Sequence, residues 1–214
     1  MKSARHELLV GIDLDNTLVC YDDLLHRAAW EERLIKDSLP KNKEMIRDAI
    51  RLLPDGEGRW TRLQAIIYGP RMRAAALFEG SGAFLRHCAR SGMQTVIVSH
   101  KTRYAALDGK PVDLRQSAME WLEAKGFFSD FGFSRSDVYF ESTRAEKIER
   151  IQALRCTHFI DDLAEVFAEE AFPMETRKLL FAPHGAAPAG SGAPALTFTN
   201  WDELDRFFFD DPRL

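Results

Sequence analysis

An alternation of short apolar runs with helical segments constrains this chain more than any other feature. Runs rich in branched and aromatic residues recur at Leu8–Ile12, Thr95–Val98, Val138–Phe140, His158–Ile160, Lys178–Phe181 and Leu196–Phe198. Segments of helical period lie between and after them, at Gly82–Ser91, Leu114–Lys125, Ala145–Leu154, Leu163–Ala171 and Trp201–Phe209. Strands joined through helices run parallel, and a parallel sheet is covered on both faces. The predicted fold class is α/β, with a doubly wound, mostly parallel sheet.

One stretch breaks the pattern. From Tyr21 to Ala76 there is no strand signal, only helical patterns around Asp22–Lys36, Lys41–Leu53 and Trp60–Arg73. Ser38-Leu39-Pro40 and Pro54-Asp55-Gly56-Glu57-Gly58 separate them with the residues that turns require. The expected organisation is an α/β core of residues 1–20 and 77–214, with a helical cap of residues 21–76 inserted into it. The stretch from Pro183 to Pro194, rich in Gly, Ala and Pro, reads as an exposed loop. Phe207, Phe208 and Phe209 read as the face that docks a terminal helix on the sheet.

Composition narrows the function classes. A chain of 214 residues with 45% hydrophobic and 29% charged side chains can bury a real core. A formal charge of -4 offers no general attraction for polyanions, so no nucleic-acid partner is expected. No apolar stretch reaches the ~20 residues of a membrane span, and Met1 to Glu7 leads directly into a strand without the apolar region of a signal peptide. Cys20, Cys88 and Cys156 are widely spaced and form no CxxC pair, which suits free thiols in a reducing cytoplasm.

Acidic residues stand where open α/β sheets bind ligands, just past the carboxyl ends of strands. The first run ends in Asp13-Leu14-Asp15-Asn16-Thr17, and His158–Ile160 ends in Asp161-Asp162. Adjacent carboxylates disfavour each other's ionisation unless a cation intervenes, and magnesium takes such oxygen donors. The same residues also suit a solvated turn, or an N-cap for the helix near Leu163. Thr95–Val98 delivers Ser99 to a third strand end. Thr143-Arg144-Ala145-Glu146 is a capping-box pattern that puts Lys147 in the first turn of its helix. The helix dipole disfavours a cation there by ~0.3–1 kcal/mol, which hints at a functional amine but equally allows a surface lysine.

Taken together and in this order, Asp-x-Asp-x-Thr, Ser, Lys and paired acids resemble the haloacid dehalogenase-like superfamily of phosphohydrolases. The resemblance runs from about Leu8 to Phe181 and implies its Rossmannoid core, with the cap inserted where that superfamily places its first cap type. It implies Asp13 as nucleophile and metal ligand, and Asp15 as acid/base with its backbone carbonyl a further ligand. Thr17 would orient the loop and support phosphate binding, Ser99 and Lys147 would hold the phosphoryl group, and Asp162 would bind Mg2+ directly with Asp161 acting through water. The superfamily's dehalogenases lack the second aspartate, whereas its phosphatases and phosphomutases carry it.

The expected partner is therefore a small-molecule phosphomonoester, with Mg2+ as cofactor. His100, Lys101 and Arg103, next to Ser99, and Trp60, Tyr68 and Arg71 in the inserted segment are candidate substrate contacts, although the cap arginines better suit a solvated helix face. Two rival classes are a phosphate-binding regulatory module that has lost turnover and a phospho-accepting receiver. Intact key positions weigh against the first, and motif order against the second. Substrate identity and oligomeric state do not follow from the sequence.

Overall fold

The branched and aromatic runs form strands within a residue or two of their expected limits. The computed structural model describes residues 8–185 and 195–210. In chain order the strands are β1 (Leu9–Ile12), β2 (Val19–Cys20), β3 (Ala76–Leu77), β4 (Gln94–His100) and β5 (Tyr104–Leu107). There follow β6 (Lys110–Asp113), β7 (Val138–Glu141), β8 (His158–Asp161), β9 (Arg177–Phe181) and β10 (Leu196–Phe198). The helices are α1 (Asp22–Glu31), α2 (Lys43–Arg51), α3 (Gly56–Tyr68) and α4 (Ser81–Ser91). After these come α5 (Leu114–Ala124), α6 (Arg144–Leu154), α7 (Ala164–Ala168) and α8 (Trp201–Phe209). Most of the Pro183–Pro194 stretch and the Met1–Glu7 segment fall outside the described residues. No helix among the described residues is long and apolar enough to cross a membrane.

Two compact units divide the chain: residues 1–19, 77–101 and 126–214 in one, and residues 20–76 and 102–125 in the other. The first is built on a six-stranded sheet in the order β10-β9-β8-β1-β4-β7, with every pair parallel. β1 is central, as its wholly buried Val10 and Ile12 require. One apolar layer gathers Val96, Val98, Ile148, Ile151, Phe159, Val166, Phe167 and Leu180. Helix α8, begun by Asn200 accepting from the Glu203 N–H at 2.9 Å, packs on α4 and β10. Its Phe208 and Phe209 are buried, Phe207 packs edge-on against Phe198, and Trp201 lies between Phe84 and Phe181.

The second unit holds more than the helical segment expected from the sequence. Helices α1, α2 and α3 pack on one another, but the β5–β6 hairpin and α5 pack on α3 as well. Trp121 on α5 donates its indole N–H to the Ala75 carbonyl at 3.0 Å, and Arg62 on α3 reaches both oxygens of Asp108 in the hairpin turn at 3.1 and 3.3 Å. The helix expected at Leu114–Lys125 therefore forms, yet it serves this unit and not the sheet. The hairpin has a local cause: Asp108 and Gly109 both take positive φ, the conformation an Asp-Gly two-residue turn supplies.

Candidate active site

β1 and β8 bring two carboxylates together by register. Gly11 pairs with Phe159 and Ile12 with Ile160, and the Asp13 N–H continues the ladder to the Ile160 carbonyl at 2.9 Å. Asp13 thus falls beside Asp161. Side chains alternate along a strand, so Gly11 and Asp13 share one face while Val10 and Ile12 fill the other. Glycine is needed at position 11, because a Cβ there would lie 2.5 Å from the Phe159 ring.

That ring also supports the lysine of the site. Thr143 accepts from the Glu146 N–H at 3.1 Å while Glu146 accepts from the Thr143 N–H at 3.1 Å, so α6 starts with the expected capping box. Lys147 follows in the first turn, with its Nζ 5.4 Å from the Phe159 ring centre. Its ammonium donates to Asp13 Oδ1 and Asp161 Oδ2, both at 2.7 Å. Lys147 is 2% exposed, Asp13 5% and Asp161 0%.

Buried charges of this kind shape one another. Burial pushes Asp13 up to about 6, against the pull of Lys147, and the charges of Asp161 and Asp15 add to the rise. Burial works against the charge on Lys147 too, but Asp13 and Asp161 outweigh it and hold the amine above the usual lysine value. The amine therefore stays charged at neutral pH.

Residues 14–19 form a tight turn in which the Leu18 and Val19 N–H groups both donate to the Leu14 carbonyl, at 3.0 and 2.9 Å. Asn16 has φ 61, a left-handed conformation that Asn accepts more readily than most residues. This turn presents Asp15, whose Oδ2 lies 2.7 Å from Lys101 Nζ. Thr17 is wholly buried and donates to Asp162 Oδ1 at 3.4 Å, while its carbonyl accepts from the Trp201 indole at 3.3 Å. Ser99 is buried near the carboxyl end of β4, the strand beside β1.

The acidic residues fit a metal ion. Asp13, Asp161 and Asp162 each offer an oxygen, and these atoms lie within 4.8 Å of one another. These three carboxylates face the ammonium of Lys147, an imbalance of two negative charges. An all-oxygen set with that imbalance suits one hard dication. Asp161 already accepts from Lys147 through Oδ2 and from the Leu163 N–H through Oδ1 at 3.0 Å. Both its oxygens therefore have protein donors.

The remaining expected contacts have surroundings of their own. His100 is exposed, with Nε2 3.1 Å from the Ser142 carbonyl oxygen. Arg103 belongs to the second unit, where it donates to Asp113 at 3.2 Å and covers the Tyr104 ring. In that same unit Trp60 is buried in the apolar interior, Tyr68 meets Tyr21 edge-on at 4.8 Å between ring centres, and Arg71 pairs with Glu31. The Lys101–Asp15 pair did not follow from sequence reasoning, which read Lys101 as a substrate contact. The available signal was its position two residues after Ser99, on the same side of an extended chain.

No protein-family model matches the chain, and no curated protein does so either. Solved structures do. A haloacid dehalogenase-family hydrolase from Deinococcus radiodurans, determined with bound phosphate and sodium, has 16% identity and a TM-score of 0.60, over 97% of each chain. A predicted phosphoglycolate phosphatase from Haemophilus somnus has 14% identity and a TM-score of 0.54, over 93% of this chain and 97% of that one. An L-2-haloacid dehalogenase has 18% identity and a TM-score of 0.56, over 94% and 98%. At these identities the likeness is one of architecture, and that architecture, a parallel six-stranded Rossmannoid sheet with flanking helices, is the fold of the haloacid dehalogenase-like hydrolases.

Proposed function

We propose that the chain is a magnesium-dependent phosphatase that hydrolyses a small-molecule phosphomonoester through an aspartyl-phosphate on Asp13. The observation that carries this reading is the buried Lys147 ammonium bridging Asp13 and Asp161, with Asp15 held two residues along at the same strand end. Asp13 and Asp162 side chains and the Asp15 carbonyl would hold magnesium, with Asp161 acting through water. Bound there, the ion would offset phosphoryl charge and favour ionised Asp13.

An oxygen of ionised Asp13 attacks phosphorus in line with the ester bond. As the Asp13–phosphorus bond forms, the bond from phosphorus to the leaving oxygen breaks, and that oxygen takes the proton of Asp15. Asp15, now a carboxylate, accepts a proton from water as the water attacks phosphorus, which releases Asp13 and inorganic phosphate. Ser99 and Lys147 hold the phosphoryl oxygens throughout, while Thr17 fixes the loop through Asp162. Leaving-group preference resides in the inserted unit of residues 20–76 and 102–125, with Tyr68, Arg71 and Arg103 as its candidate readers in preference to the buried Trp60. The three cysteines are free thiols, which supports a cytoplasmic setting.

A second reading is haloacid hydrolysis, since one structural neighbour is a haloacid dehalogenase. Asp15 argues for phosphate, because carbon–halogen cleavage has no leaving oxygen to protonate. The test is an assay of the purified chain on an aryl phosphate, a panel of phosphometabolites and a haloacid, each with chelator and with magnesium restored. Magnesium-dependent phosphate release is expected. Turnover of the haloacid alone, or phosphate binding without turnover of any ester, would overturn the reading.

A further inference from the structure

We propose that Lys101 is a positioning residue: its buried ammonium holds the carboxyl group of Asp15 in one orientation for proton transfer, and it does not bind the substrate. This assignment rests on the phosphatase reading above. Lys101 is 4% exposed, and its Nζ stands 2.7 Å from Asp15 Oδ2. An ammonium buried to that degree needs an acceptor, and Asp15 Oδ2 supplies one whether or not the other oxygen, Oδ1, carries a proton.

The neighbouring residues sharpen the assignment. His100, Lys101 and Arg103 form one cationic stretch in the sequence, yet their side chains have different partners. His100 is exposed beside the Ser142 carbonyl, and Arg103 pairs with Asp113 in the other unit. Lys101 alone of the three is paired with a residue of the 13–17 loop. Its backbone explains why: the Lys101 N–H donates to the Glu141 carbonyl at 2.8 Å, which extends the β4–β7 ladder by one bond beyond His100. Strand alternation therefore puts Lys101 on the side of Ser99 and His100 on the other. The next residue, Thr102, belongs to the inserted unit, so Lys101, directly after β4, is the last residue of this segment in the catalytic unit.

A carboxyl group that gives up a proton and later takes one must meet a leaving oxygen and then a water at the same place. The turn at residues 14–19 fixes the Asp15 backbone, and Lys101 on Oδ2 fixes its side chain, which leaves Oδ1 to give and take the proton. Each of the two catalytic aspartates thus has its own buried amine, Lys147 for Asp13 and Lys101 for Asp15. A residue that acts only through Asp15 cannot matter more than Asp15 does, nor matter where Asp15 is not needed.

The experiment measures kcat/KM, which reports the phosphorylation step, on benzyl phosphate and on dinitrophenyl phosphate. The first ester has a leaving oxygen that needs a proton, and the second does not. Lys101→Met should lower the benzyl phosphate value by about 10–100-fold and the dinitrophenyl value by less than about threefold. In an Asp15→Asn background the same substitution should change either value by less than about twofold. Equal losses on the two esters, or a loss that persists beside Asp15→Asn, would assign Lys101 to the substrate and overturn the proposal. If Lys101→Met does not fold, Lys101→Arg, which keeps the charge and moves it, should give the same split between esters, and equal losses there overturn the proposal as well. A parent protein that hydrolyses neither ester removes the phosphatase reading and this assignment with it. A parent that hydrolyses both, with equal losses in the variant, removes this assignment alone.

Discussion

Lys147→Met removes the one cation between two buried carboxylates, and the structure sets the size and pH dependence of the effect. Asp13 and Asp161 both take a 2.7 Å hydrogen bond from Lys147 and are nearly or wholly inaccessible to solvent. Breaking a buried pair from one side costs about 3–5 kcal/mol. The pH dependence is more diagnostic. In the parent protein without metal, Asp13 keeps its proton to about 6, although Lys147 pulls that value down. Without Lys147 the folded state keeps the proton higher still, while the unfolded chain loses it near the ordinary aspartate value. Above pH 6 the folded variant therefore binds a proton that its unfolded state does not, and stability falls as pH rises by up to about 1.4 kcal/mol per pH unit. The parent has no such slope from Asp13 in that range. Urea unfolding of both proteins in chelator at pH 6, 7 and 8 should show the variant's deficit widening by up to ~3 kcal/mol. A deficit that is constant or shrinks as pH rises would refute the argument that Lys147 sets the charge state of Asp13.

Asp162→Ala should weaken magnesium binding at least about tenfold by calorimetry, whereas Ser99→Ala should leave it within about twofold and impair phosphate binding instead. Equal metal affinities in the Asp162 variant and the parent would remove that residue from the metal site. His158 predicts an acid sensitivity remote from the chemistry. Its Nε2 is buried without a hydrogen-bond partner beneath Phe207 and Phe208, and burial, helped by Arg177, pushes its pKa down to about 4. The unfolded chain binds the proton that the folded state refuses, so this stability is present above about pH 6.5 and declines toward pH 4, by up to ~3 kcal/mol. His158→Phe should flatten that part of the stability profile, and an unchanged profile counts against the assignment.

The core was legible because its signals are local. Each branched and aromatic run became a strand, and the Thr143–Glu146 pattern placed the start of α6, which fixed Lys147 at the sheet end. The Asp13 and Asp161 positions followed from strand ends alone. What escaped the sequence reading depends on tertiary contact. Residues 102–125 look like any strand-and-helix crossover, and only the packing of α5 and the hairpin on α3 assigns them to the inserted unit. Asp108-Gly109 was a readable hairpin signal, but the strands on either side of it, Tyr104–Leu107 and Lys110–Asp113, are only four residues long. Trp60 is buried, as an aromatic side chain on an amphipathic helix that fills its unit's interior is. The partners of Lys101 and Arg103 were not separable from composition, because two cations two residues apart differ only in where the backbone ladder ends.

The central claim, that Asp13 becomes phosphorylated, is tested most directly by trapping the covalent intermediate. Asp15→Asn slows dephosphorylation by removing the base, so this variant, quenched in acid soon after mixing with magnesium and dinitrophenyl phosphate, should accumulate it. Peptide mapping by mass spectrometry should then find the mass of one phosphoryl group on the peptide that carries Asp13. The account predicts that label at Asp13 in the Asp15→Asn protein, with no label when Asp13→Asn is added. Phosphoryl label on any other residue, or turnover of the ester by the Asp13→Asn protein at the parent's rate, would contradict it.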